Sequence, residues 1–217
     1  MQRARRRLAI LLRIPTRRLA ASRTTHALLF VAALSGCASP LPPMSWVRLP
    51  VDPPGQVSPA IPSGAVSSES WLLRLPVAFP GHLGRDAVLV RHGSAGLQPL
   101  EGLRWAEPLR DAVPRLLRQD LERRLGASVW VAPLPPGAAF ARQLTVEILA
   151  LDILEGRRAV EIRARWTLAD VRGATAPRVF EEALVTAVGD PGVDGLAAAH
   201  RLALWQLAGR IAASARP

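Results

Sequence analysis

From Val160 to Leu168 apolar and polar residues alternate without a break, Val160, Ile162, Ala164, Trp166 and Leu168 against Glu161, Arg163, Arg165 and Thr167. A period of two rules out a helix and specifies a strand with one dry face and one wet face. The apolar run Leu144 to Ile153 precedes it, and Glu155-Gly156-Arg157 between the two suits a tight antiparallel turn. Val179 to Val188, following Gly173, adds a third strand to this meander. A sheet that is wet on one side must bury its other side under a second layer. The rest of the chain has to supply that layer.

Two segments do so by switching to helical spacing. Leu109, Val113, Leu116, Leu117, Leu121 and Leu125 fall on one face, while Arg115, Arg118, Glu122 and Arg123 point elsewhere. Asp111 is the expected N-cap, which puts Pro114 at the third helical position, where its missing N–H is harmless. Gly126 closes that helix in the C′ position. Asp194 is expected to cap a second helix running to about Ala213, with Leu196, His200, Ala203, Leu207 and Ile211 on one side. Shorter strands are predicted at Trp71 to Leu75, Ala87 to Arg91, Leu97 to Trp105 (interrupted near Gly102) and Ser128 to Ala132. The expected fold is α+β: a single domain over residues 70–213, with a mixed, mainly antiparallel sheet and two principal helices packed on one face.

The chain ahead of residue 70 has a different character. Eight arginines and no acid precede the apolar run Ala27 to Ala33, which ends at Leu34-Ser35-Gly36-Cys37. A basic stretch, a short apolar core and small residues form a secretory signal, and the core is shorter than the roughly 20 residues a bilayer span needs. Leu-Ser-Gly-Cys resembles the bacterial lipobox, in which the cysteine thiol takes a diacylglycerol and cleavage leaves the cysteine as the new N-terminus. Cys37, the only cysteine, is therefore the expected lipidation site, with residues 1–36 as the signal peptide. Residues 38–68 hold eight prolines among serines and glycines. Such a stretch buries too little apolar surface to offset its ordering entropy, so residues 37–69 are expected to form a lipidated tether.

Removing the leader also changes the charge. The full chain carries a net charge of +11, but 20 arginines and 17 acidic residues are left from Cys37 onward, a net charge of +3. Nucleic-acid binding is left without support, because no basic stripe interleaves with exposed aromatics. Chemistry is equally hard to place. The four histidines, His26, His82, His92 and His200, have no metal-ligand spacing, and no G-x-S-x-G elbow occurs. Asp170, Glu181 and Glu182 are the nearest approach to a carboxylate pair, and strand ends carry such residues routinely. Neither a catalytic residue nor a cofactor or metal site is predicted.

The most distinctive internal string is Arg104-Trp105-Ala106-Glu107-Pro108-Leu109. Trp105 can anchor the helix to the sheet, Pro108 pre-sets the chain, and Glu107 lies near the positive helix N-terminus. Arg104, Trp105 and Glu107 are also the candidate partner-binding residues, since Arg and Trp dominate interface energies. Together with Leu34-Ser35-Gly36-Cys37, the strands Ser70 to Leu75 and Val160 to Trp166, and the alanine-rich last helix, this string resembles the ABC-type transport auxiliary lipoproteins. That family includes the PqiC-type subunit of membrane-integrity-associated transporters. The resemblance covers residues 70–213 and implies a non-enzymatic, periplasmic subunit without cofactor, anchored to the outer membrane of a Gram-negative bacterium. It also implies a mammalian-cell-entry-type partner protein in a lipid transport system. Ala38, rather than Asp, follows the cysteine, which favours the outer membrane under the usual sorting rule. A ring-like homo-oligomer is compatible with such a role, though no residue pattern specifies one. The competing reading is a direct periplasmic lipid carrier, which requires an apolar pocket between sheet and helices.

Overall fold

In the computed structural model, residues 43–55, 70–173 and 175–216 are described. The expected signal peptide, residues 1–36, and the expected lipidation site, Cys37, lie outside them. The longest pairing is the one the alternation predicts. Strand β6 (Arg142–Ile153) runs antiparallel to β7 (Ala159–Asp170), from Arg142↔Asp170 to Ile153↔Val160, with one irregularity between Ile148 and Ala150. Strand β8 (Arg178–Ala187) continues the meander antiparallel to β7. A 3-10 turn at Glu155–Arg157 joins β6 to β7, and Gly156 takes φ 79° there, a left-handed value that glycine adopts without steric cost.

The other edge of β6 is shared. β2 (Trp71–Leu73) lies parallel to its start, and β3 (Ala87–His92) meets its end at Val90↔Ile153. Beyond β2 lies β5 (Val129–Trp130); beyond β3 come β4 (Gly96–Trp105) and then β1 (Ser45–Val47), parallel to β4. The described residues thus form one mixed sheet of eight strands. The interruption expected near Gly102 is an irregularity in the β3–β4 register, where Gly102 has φ 68° and the strand carries on to Trp105.

Helices α1 (Leu109–Leu125) and α2 (Val193–Ser214) pack against each other, with α2 lying on β7 and β8. Leu116, Leu117, Leu121, Leu204, Leu207 and Ile211 meet Val160, Ile162, Ala164 and Trp166 in one core, each at most 1% exposed. Burying each Leu or Ile contributes about 1.5–3 kcal/mol, which holds helices and sheet together.

Both helix starts differ from expectation. Pro108 caps α1, and its carbonyl accepts from the N–H groups of Asp111 and Ala112. Asp111 is therefore inside the first turn, and Pro114 is the sixth helical residue, where its ring removes an intrahelical bond. Asp194 likewise sits inside α2, whose cap is Gly192; Asp190 Oδ1 accepts from the Gly192 N–H at 3.0 Å. In each case an Asx or proline turn upstream turns the chain earlier than the side-chain cap expected from sequence.

Residues 43–55, assigned to the tether from composition, are part of the folded domain. β1 pairs with Leu103–Trp105, and Val47 and Leu49 are 8% and 4% exposed. Arg201 of α2 donates to the Val51 carbonyl through both Nε and Nη2, at 3.1 and 2.9 Å. The same guanidinium makes a two-bond pair with Asp120 of α1, both bonds 2.6 Å and both side chains fully buried. Burial raises the Asp120 pKa, and the Arg201 hydrogen bond and charge oppose that rise. Arg201 therefore ties α1, α2 and the N-terminal segment at one point.

Candidate functional site

The string after β4 is built around Trp105. Its indole is 4% exposed and meets the His200 ring edge to face, centroids 5.1 Å apart. The backbone N–H of Trp105 donates to the Asp86 carbonyl at 2.6 Å, and that of Ala106 donates to the Val47 carbonyl at 2.7 Å. Trp105 therefore anchors the helix start in the core, and its ring presents no surface to a partner. Arg104 faces the opposite side of the sheet, with Nη1 on the Leu103 carbonyl at 3.0 Å and Nε 3.9 Å from Asp86. Glu107 accepts from Arg115 at 2.7 Å, bridging the approach to α1 and its second turn. Of the three predicted contact residues, Arg104 and Glu107 reach the surface, and they do so on separate features.

His200 is 2% exposed, and its Nδ1 donates to the Leu196 carbonyl at 2.7 Å. Burial lowers its pKa to about 4, opposed by that hydrogen bond and by the charge of Asp152. A neutral histidine locked by packing is a structural residue.

A charged cluster that the sequence did not single out lies on the outer face. Asp152 and Glu161 are opposite each other across β6 and β7, and Arg91 of β3 reaches both, binding Glu161 closely and Asp152 at 3.1 Å. His82 Nε2 stands 3.0 Å from Asp152 Oδ1. The Glu161 hydrogen bond is the main reason the Arg91 guanidinium holds its proton more tightly than usual. Counting outward from Glu155-Gly156-Arg157 alone would have set Asp152 opposite Val160; the loop also takes in Arg158, with Leu154 bonded to Ala159, and that extra residue brings the two acids opposite each other. The cavity bordered by His82, Asp152, Trp105 and His200 holds about 10 Å³, room for one water at most. Asp170, Glu181 and Glu182 do not converge: Asp170 accepts from Arg172 N–H, Glu181 pairs with Arg165, and Glu182 with Arg210.

An apolar groove of about 800 Å³ lies beside the start of α1. Leu75, Pro76, Phe79 and Pro80 from the β2–β3 connection form one wall, with Pro114 and Ala132 opposite and Arg110 and Asp111 at the rim. Leu75 is 44% exposed. The prolines that end β2 and interrupt α1 thus line it; they carry no backbone donor and leave the walls apolar. The groove lies open to solvent, whereas the space between sheet and helices is filled by the core residues named above. The pocket that a lipid carrier requires in that position is occupied by side chains.

Comparison with known proteins places this arrangement. An uncharacterized protein of known crystal structure superimposes with a TM-score of 0.59 at 20% identity, over 80% of this chain and 99% of the other. Protein XCC0632 from Xanthomonas campestris does so at 0.56 and 19% identity, over 77% and 92%. Both are likenesses of fold. Among curated proteins, none is similar enough to count as a relative. The model of the ABC-type transport auxiliary lipoprotein component matches residues 52–212, most of the chain, and the match begins inside the segment that Arg201 holds. The chain belongs to that family of lipoproteins, auxiliary components that work with ABC transporters.

Proposed function

We propose that the protein is a non-catalytic adaptor, held on the periplasmic face of the outer membrane by acyl chains on Cys37. In this role it docks a mammalian-cell-entry-type protein of an ABC lipid transport system that maintains membrane integrity. The observation that carries the adaptor reading is the division of apolar surface: the core between sheet and helices is packed with side chains, and an apolar groove lies open at the start of α1. A carrier needs an enclosure for its lipid, whereas an adaptor needs an accessible surface with an apolar centre and a polar rim. Leu75, Phe79 and Pro114 supply the centre, and Arg110 and Asp111 the rim.

Crosslinking in intact cells followed by purification of the lipoprotein tests this. The mammalian-cell-entry-type protein is expected in the wild-type eluate and depleted at least tenfold with Leu75→Glu, a substitution at a half-exposed position that leaves the core untouched. A charge placed at the centre of an apolar contact costs on the order of 2 kcal/mol or more. Recovery of the partner at equal yield from both proteins removes the groove from the reading. Recovery from neither removes the partner.

A further inference from the structure

The apolar pattern of β1 is inverted. Successive residues of a strand face opposite sides, and in this one Val47 turns to the core while Met44 and Trp46 turn to solvent. Trp46 is 62% exposed and Met44 51%, whereas the other five tryptophans are buried or half-buried. Trp46 stands in register with Arg104 on β4, so the Arg104 guanidinium emerges beside it, and exposed Arg48 follows on the chain. The acidic neighbour is Asp86, 3.9 Å from Arg104. A tryptophan and a methionine flanked by arginines form a surface suited to the boundary between headgroups and acyl chains, where amphipathic rings settle and cations meet phosphate.

Chain length says which surface that is. Six peptide units separate Cys37 from Pro43. Fully extended, they span at most about 22 Å. We infer that the Met44–Arg48 edge of the domain rests on the bilayer itself, with Trp46 and Met44 in the interfacial layer and Arg48 and Arg104 against lipid phosphates. This rests on the reading of Cys37 as acylated. The composition-based tether of about thirty residues would have let the domain stand well away from the membrane; the folding of residues 43–55 shortens it to six links.

The lipidated protein, reconstituted in phosphatidylethanolamine–phosphatidylglycerol vesicles with brominated acyl chains, tests the contact through tryptophan emission. Bromine quenching is expected in the wild type and lost in Trp46→Phe, because the remaining indoles are inside the fold. Equal quenching in both proteins, or none in either, overturns the inference. So does shielding of Trp46 from aqueous quencher only when a periplasmic protein partner is added. Intact mass of the same preparation separates the two readings. Acyl chains on Cys37 without Trp46 quenching leave the anchor standing and remove the interface, whereas a protein without acyl chains removes both.

Discussion

His200 stays neutral in the folded protein down to about pH 4, because burial disfavours its charged form. In the unfolded chain it takes up a proton near pH 6.5. Between these values the unfolded state binds more protons, so stability is fully present above about pH 6.5 and falls as the pH drops toward 4. The interval corresponds to about 3 kcal/mol. Urea unfolding at pH 7 and pH 4.5 should show most of that loss in the wild type and a markedly smaller one in His200→Gln; equal losses would mean other groups carry the acid sensitivity. His200 was legible from sequence as a packing residue on the apolar face of a helix, since i, i+4 spacing places it there without knowledge of the partner. Trp105, its partner, was not resolved in the same way. An Arg-Trp pair before a helix has the same composition in an interface and in a core, and only the position of β1 and α2 around it decides. Arg201 is the strongest case: nothing in an alanine-rich helix distinguishes an arginine bound for Asp120 from one bound for water.

At the scale of elements, β6, β7 and β8 were readable because each is long enough for a period of two to show. β1 was not. A three-residue strand is too short to show a period, and the proline content of residues 38–68 matches that of a tether. What makes β1 a strand is an edge of β4 with free backbone groups and a core that accepts Val47 and Leu49. The start of α1 was placed late for a related reason. Asp111 is a good cap by composition, but the Pro108 carbonyl takes the N–H groups first. Pro114 then interrupts the helix at its sixth residue, at a cost of up to about 3 kcal/mol in a helix interior. Part of that is offset by the reduced freedom of proline in the unfolded chain. Pro114→Ala is therefore expected to stabilise the domain by about 1–2 kcal/mol in chemical denaturation. It would also remove one wall of the groove, so a protein that gains stability while binding its partner less tightly is the expected pair of results. An unchanged midpoint would show that the neighbouring turn already absorbs the interruption.

For the whole molecule, the decisive feature is that the domain begins earlier than its composition suggests. A protein starting at Pro43 is expected to unfold at the same denaturant concentration as one starting at Cys37. One starting at Gln56 loses the burial of Val47 and Leu49 and leaves Arg201 without the Val51 carbonyl. Each apolar side chain contributes about 1.5–3 kcal/mol as an upper bound, so a loss of at least about 3 kcal/mol is expected. Identical midpoints for the two would place residues 43–55 outside the cooperative unit. The sequence alone determined the α+β class, the antiparallel meander and the two helices. Each of these is written in local spacing, charge order or short motifs, and needs no distant partner to be read. Tertiary structure decided which residues are surface and which are core: Trp105 inside, Trp46 outside, Arg201 buried against Asp120, and a groove assembled from prolines of two elements. Those outcomes depend on residues brought together from across the chain, and a pairing between distant residues leaves no mark in the composition around either one.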